Sequence, residues 1–316
     1  MSIKEENKAI ITLGAQLIKK GGLISVMTET VYGLLADAEN SKAVEKIYDL
    51  KERPKINPLI VHVDTIEMAK KYAIFSEDAL KIARKFWPGP LTLVLKRKKN
   101  CSISSIVTAG LSTIAIRIPD SKVFLNIINQ SKKPIAAPSA NRSGYVSSTN
   151  ASHVHNSFGD KLSLIVNSGQ SRIGLESTVL DLTKKPYKIL RKGIYDKDII
   201  SRNSNVKIFD SDKKFNVEKP KSPGLLQKHY SPNTPLRLNV KKPMKNEVFL
   251  SFGNQYEINN SFNLSESADL NEAAYNLFDF LIKSDQLKKK RIAIAPIPNN
   301  GIGIVINERL LRAKGN

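Results

Sequence analysis

Cysteine is almost absent from this 316-residue chain, with Cys101 the single example. One thiol excludes an internal disulfide framework and suits a reducing cytoplasm. No apolar run approaches the roughly 20 residues that a membrane-spanning helix needs. The opening MSIKEENKAI lacks the apolar core of a signal peptide. The chain therefore reads as a soluble, cytoplasmic protein. Histidine is also scarce, with four in all. His153 and His155 stand two apart, but no cysteine or third histidine lies near them, so a zinc site is rejected. No Walker A sequence occurs, and Gly301-Ile302-Gly303 lacks the third glycine of a dinucleotide fingerprint. No Ser-His-Asp order stands out either.

Acidic residues are in deficit: 29 Asp and Glu face 50 Lys and Arg, for a net charge of +21. Such an excess raises the question of nucleic acid. Residues 1–205 carry 32 cations against 18 anions, and residues 206–316 carry 18 against 11. The excess is spread along the chain, so there is no basic tail and no basic domain. A Lys-rich solvated surface accounts for it. The charge permits weak attraction to RNA but assigns no site.

The length allows one large domain and a smaller one. Residues 5–20 carry apolar positions at helical spacing and stop at Gly21-Gly22. LISV (23–26) reads as a strand entering a TETVYG loop, and a helix follows over about 41–50. Ser76, Glu77 and Asp78 make a helix start, because the hydroxyl caps and the acids complement the dipole. Strand-like runs recur at 59–63, 91–95, 113–118, 134–137, 162–166, 177–182 and 187–191, with helices over 121–130 and 149–157. This interleaving predicts an α/β or α+β domain around a mixed sheet. From about 203 to 235 the pattern fades into a linker. Residues 246–313 then offer strand, helix, strand and helix, a small α/β unit.

Polar signatures punctuate this frame: TETVYGL (28–34), KERPKINPLIVH (51–62), WPGPLTL (87–93), TIAIRIP (113–119), APSANRSG (137–144), GLEST (174–178) and SPGLLQKHYSP (222–232). Several lie where a strand hands the chain to a loop, the usual place for chemistry in sheet proteins. Lys51, Arg53 and Lys55 alternate in a segment that Pro54 should keep extended, placing three cations on one face. That face is either an anion clamp or an exposed basic edge. Arg117 alternates with Ile114, Ile116 and Ile118, so it must reach solvent or find an anion. APSANRSG suits a turn that presents backbone N–H groups to phosphate oxygens.

Taken in order, these motifs closely resemble the YrdC-like threonylcarbamoyl-AMP synthases, specifically the two-domain Sua type. The resemblance runs from about residue 8 to the end, including the closing GIGIVINERLLRAKG. It implies a YrdC-like twisted mixed-sheet domain (1–205), a linker folding over the site (206–235) and a smaller Rossmann-like α/β domain (236–316). The implied reaction converts L-threonine, bicarbonate and ATP, with Mg²⁺ on the triphosphate, into L-threonylcarbamoyl-AMP and pyrophosphate. The product would feed other enzymes of tRNA threonylcarbamoyladenosine modification. Carried over by motif, Thr30, His62, Arg117, Ala137 and Ser177 hold threonine. Arg53, Asn57, Thr113, Ser139, Ser147, Arg191 and Tyr230 hold ATP. Lys51 and Arg53 supply catalytic positive charge, and no protein metal site is expected. Two positions depart from the family pattern: Met27 and Ser148 stand where it usually has proline. The rival reading is an RNA-binding protein on the same fold without synthase activity.

Overall fold

The computed structural model describes residues 3–211, 230–256 and 261–315. Local chemistry sets its helices. Each α-helix between Lys8 and Ser204 begins on Asn7, Asn40, Thr65, Ser76, Ser121, Asn150 or Asp196, whose side chain accepts a backbone N–H of the first turn. Such a cap contributes about 1 kcal/mol. The helix Glu77–Phe86 is the fullest case, with Ser76 as cap and Glu77 and Asp78 in the first turn.

These helices pack on a 12-stranded mixed sheet. Across it run Ile3–Glu5, Leu164–Asn167, Ile24–Met27, Tyr32–Asp37, Ile135–Ala136, Ile60–His62, Thr113–Arg117, Leu91–Arg97, Thr178–Asp181, Tyr187–Arg191 and Ile208–Asp210. Ala73–Ile74 pairs with Leu91–Arg97 off this path. At the centre, Ile60–His62 runs parallel to Thr113–Arg117 in a register that sets His62 beside Arg117. A second sheet, Leu236–Arg237, Arg291–Ile294, Glu247–Ser251 and Ser261–Asn263, is parallel throughout. The helices Leu270–Gln286 and Ile302–Lys314 accompany it. The α/β class and the mixed main sheet are therefore as the sequence predicts. No helix among the described residues is long and apolar enough to cross a membrane.

The structure departs from the sequence reading in three places. TETVYGL is not all loop: a strand occupies Tyr32–Asp37 and is buried throughout. With both faces covered it shows no alternation to read. The stretch from about 203, read as the start of a linker, still holds regular structure: after the helix Lys197–Ser204, the strand Ile208–Asp210 pairs with Tyr187–Arg191 at the edge of the main sheet. Of the linker, residues 212–229 lie outside the described residues, and with them most of SPGLLQKHYSP. Thirdly, Lys51, Arg53 and Lys55 share no extended face. Lys51 ends the helix Ser41–Lys51, Glu52 turns left-handed at φ 53°, and Lys55 is exposed while Lys51 and Arg53 are buried. The helix ends on the left-handed turn at Glu52, ahead of Pro54, and that turn breaks the expected alternation.

The two sheets are joined by apolar and polar contacts. Val31, Val146 and Leu175, from signatures of the first unit and their neighbourhood, pack into the hydrophobic cluster of the second. Asp285, on the helix Leu270–Gln286, accepts hydrogen bonds from the Tyr145 hydroxyl (2.7 Å) and the backbone N–H groups of Asn233 (3.2 Å) and Thr234 (2.7 Å). Burial alone would raise the Asp285 carboxyl, but these donors hold it below its ordinary value.

Candidate active site

The register of the central strands builds a small pocket of about 50 Å³, lined by Thr30, Arg53, His62, Arg117, Ala137, Ser139, Glu176, Ser177 and Arg191 among others. Arg117 is fixed on several sides. Its Nε donates to the Gly89 carbonyl of WPGPLTL at 3.1 Å, Nη1 donates to Thr30 Oγ1 at 3.1 Å, and Nη2 stands 2.7 Å from Glu29 Oε1. Thr30 is held in turn by Thr28, whose hydroxyl lies 2.8 Å away and donates to the Val31 carbonyl at 2.7 Å. His62 packs against Phe124 with the rings tilted at 43° and their centroids 5.0 Å apart. Burial first, and the Arg117 charge second, push its pKa down to about 3, so the ring is neutral at physiological pH. On the far wall, Arg191 donates from Nε and Nη2 to the Ser177 carbonyl at 3.1 and 2.9 Å, and from Nη2 to Ser177 Oγ at 3.0 Å.

A larger cavity of about 1000 Å³ adjoins it and shares Arg53 and Ser139 as lining residues. Lys51, Asn57, Asn141, Tyr145, Asn233 and Asp285 also line it. Arg53 donates from Nε to the Asn57 carbonyl (3.2 Å) and from Nη2 to the Pro58 carbonyl (3.1 Å). Burial lowers it to about 10, which leaves it cationic at neutral pH. Lys51 Nζ donates to the carbonyls of Ser139 (2.7 Å) and Asn141. Burial, reinforced by Arg53, holds its pKa well below the ordinary lysine value.

The expected residues divide by this geometry. Thr30, His62, Arg117, Ala137 and Ser177, the whole threonine set, line the small pocket. From the ATP set, Arg53, Ser139 and Arg191 join them there, and Asn57 lies in the large cavity with Lys51. Thr113, Ser147 and Tyr230 line neither. Thr113 is half-buried at the far end of its strand from Arg117, about 13 Å away along a strand. Ser147 and Tyr230 are fully buried, and Ser147 donates to Glu176 of the small pocket. Among the described residues no cluster of three or more His, Cys, Asp or Glu side chains is arranged to hold a metal ion.

Residues 16–193 match the Sua5_yciO_yrdC family, described as "Telomere recombination". Residues 188–315 match a second family, described as "Threonylcarbamoyl-AMP synthase, C-terminal domain". The chain belongs to the Sua5/YciO/YrdC family. It is 35% identical to the threonylcarbamoyl-AMP synthase of Pyrococcus abyssi, covering 96% of this chain and 94% of that one. It is 36% identical to the Bacillus subtilis protein of the same name, covering 98% and 94%. The structure of P. abyssi Sua5 complexed with L-threonine superposes with a TM-score of 0.89 at 34% identity, over 98% of this chain and 96% of that one. Escherichia coli YciO, at 18% identity and a TM-score of 0.56, shares the fold over 63% of this chain.

Within this Sua5/YciO/YrdC frame, the structure adds buried acids that the motif reading passed over. Glu29, of TETVYGL, stands against Arg117. Glu176, of GLEST, accepts from Ser147 Oγ at 2.6 Å and from Arg309 Nε at 3.1 Å. Burial would raise the Glu176 carboxyl, but Arg309 and Arg191 outweigh it and hold it below its ordinary value. The only signal in the sequence was an acid inside an otherwise uncharged signature. Ser148, at one of the two lost prolines, is buried and donates to the Ala140 carbonyl at 2.7 Å. A hydrogen bond there holds the loop that a proline ring would stiffen.

Proposed function

We propose that the chain is an L-threonylcarbamoyladenylate synthase, making L-threonylcarbamoyl-AMP and pyrophosphate from L-threonine, bicarbonate and ATP. The observation that carries this reading is the gathering of all five threonine-set residues in one small pocket that shares Arg53 and Ser139 with a cation-lined cavity. The guanidinium and hydroxyl lining of the small pocket suits a small polar anion, and a 1000 Å³ cavity has room for a nucleotide. In this reading Arg117 takes the threonine carboxylate, a bidentate match for a guanidinium. The threonine amine loses a proton and combines with bicarbonate, releasing water and leaving a carbamate. A carbamate oxygen attacks the α-phosphorus of ATP, and the bond to the bridging oxygen of pyrophosphate breaks. No protein nucleophile is needed. Lys51 and Arg53 neutralise charge that develops on the phosphates, while the pocket aligns carbamate and phosphorus. Mg²⁺ arrives on the triphosphate as part of the substrate.

The reading also divides the chain into a catalytic unit (1–205), a linker (206–235) and a C-terminal unit (236–316). It gives the product to the enzymes that modify tRNA, and it places the protein in the cytoplasm. The test is pyrophosphate release from ATP and bicarbonate, with L-threonine, with L-serine and with neither. Threonine-dependent release supports the assignment. Release that ignores threonine, or none at all, removes it.

A further inference from the structure

Among the described residues the amine of Lys51 is held by main-chain carbonyls alone, those of Ser139 (2.7 Å) and Asn141. The Ser143 N–H returns the contact, donating to the Lys51 carbonyl at 3.0 Å. Lys51 is thus placed by one loop, residues 139–145, of which 140–145 form neither helix nor strand. Asn141 closes the loop on itself, because its Nδ2 donates to the carbonyls of Arg142 (2.8 Å) and Tyr145 (2.9 Å). Two ties then run from the loop to chain beyond residue 230, and Asp285 gathers both. Its Oδ2 accepts from the Tyr145 hydroxyl at 2.7 Å. It also accepts from the N–H groups of Asn233 and Thr234 and from Asn233 Nδ2 (3.1 Å). That fixes the segment whose Ser231 N–H donates to the Gly144 carbonyl at 2.9 Å. Each link from Asp285 through Tyr145 and Asn141 to Lys51 lines the large cavity, and none lines the small pocket.

A loop without helix or strand has no ladder of its own to fix it, so its outside ties decide where its carbonyls point. Bonds to a carboxylate are the stronger kind, about twice a neutral pair. We propose that Asp285 is a positioning residue for the large cavity: docking of the helix Leu270–Gln286 sets the 139–145 loop, and the loop sets Lys51. Nucleotide affinity then depends on a carboxylate of the second unit, while threonine affinity does not. This rests on the reading of the large cavity as the ATP site.

The experiment is titration calorimetry on the full chain, with a non-hydrolysable ATP analogue and, separately, L-threonine. Asp285→Asn keeps the shape and loses the charge, and is expected to weaken the analogue about tenfold, the effect of one charge-assisted hydrogen bond. Threonine affinity should stay within about twofold. Tyr145→Phe removes a single hydroxyl, should weaken the analogue by a smaller factor, and covers the case in which the asparagine variant does not fold. In a Tyr145→Phe background, Asp285→Asn should add less than it does alone, because the two share a bond. Gln170→Ala is the control: its Nε2 donates to the Tyr275 carbonyl of the same helix at 3.3 Å, yet Gln170 lines neither cavity, so analogue affinity should hold. Hydrogen exchange over residues 139–145, read without ligand, should quicken in Asp285→Asn and Tyr145→Phe but not in the control. Unchanged analogue binding in the folded variants overturns the proposal, as do equal weakening of both ligands and an equal effect of Gln170→Ala. If Lys51→Met binds the analogue as wild type does, the ATP reading of the cavity fails and exchange alone decides: quickening over 139–145 keeps the positioning role, and wild-type protection removes it.

Discussion

The guanidinium of Arg117 stands 2.7 Å from the carboxylate of Glu29, and both side chains are almost wholly buried. The cation expected to meet a substrate carboxylate is therefore already held by an internal one. A preset arginine loses little side-chain entropy when a ligand arrives, which favours tight orientation over a loose grip.

Replacing Glu29 by Gln leaves Arg117 buried with its charge uncompensated, and breaking a buried pair in this way costs about 3 kcal/mol or more. Glu29→Gln is thus expected to melt several degrees below wild type. L-Threonine should restore more of that loss than it adds to wild type, because its carboxylate supplies the missing anion. Melting curves with and without threonine measure both effects. An equal or smaller threonine shift in the variant would take the carboxylate off Arg117.

Lys51 gives the pH dependence. Burial and Arg53 hold its pKa well below the ordinary value of 10.5. A lysine depressed in the folded state destabilises the fold wherever it is forced to carry charge, so this penalty fades as pH rises from the folded pKa toward the unfolded one. Phosphates arriving beside it favour the ammonium and raise its pKa. Binding of an ATP analogue should therefore take up protons wherever the free site holds the amine deprotonated. Calorimetry in buffers of different ionisation enthalpy reads the uptake directly. Lys51→Met is expected to abolish it, and equal uptake in that variant would assign the proton elsewhere.

How much of this was legible in the sequence depended on how local its cause was. The helix Glu77–Phe86 is written in three adjacent residues, and Thr113–Arg117 in a simple alternation. The strand Tyr32–Asp37 hid because burial on both faces leaves no period. The site residues came from ordered motifs, and the structure brings most of them to two adjoining cavities. Spacing failed at Lys51 and Lys55, because nothing in KERPK announces the left-handed turn at Glu52. The partners of Lys51 lie 88 and 90 residues on, and Glu176 lies 133 residues from Arg309. Pairings at that distance are fixed by the packing of the two units and leave no local trace.

The glycine of GLEST illustrates a signature residue whose reason is the other unit. Gly174 has φ +75°, a conformation that costs any residue with a Cβ. A Cβ there would also stand 2.6 Å from the carbonyl oxygens of both Ala274 and Tyr275 on the helix Leu270–Gln286. Backbone cannot yield as a flexible side chain would, so the first unit and this helix would have to separate. Next along the chain, Leu175 packs in the second unit's cluster, and Glu176 and Ser177 line the small pocket. Gly174→Ala is therefore expected to lower the melting temperature and to reduce pyrophosphate release together. Ile173→Ala, a neighbour that only packs partly against the same cluster, should lower stability with a much smaller loss of activity. Hydrogen exchange should show the new opening along residues 270–286 in Gly174→Ala. Full protection there, with activity retained, would remove the close approach as the reason for this glycine.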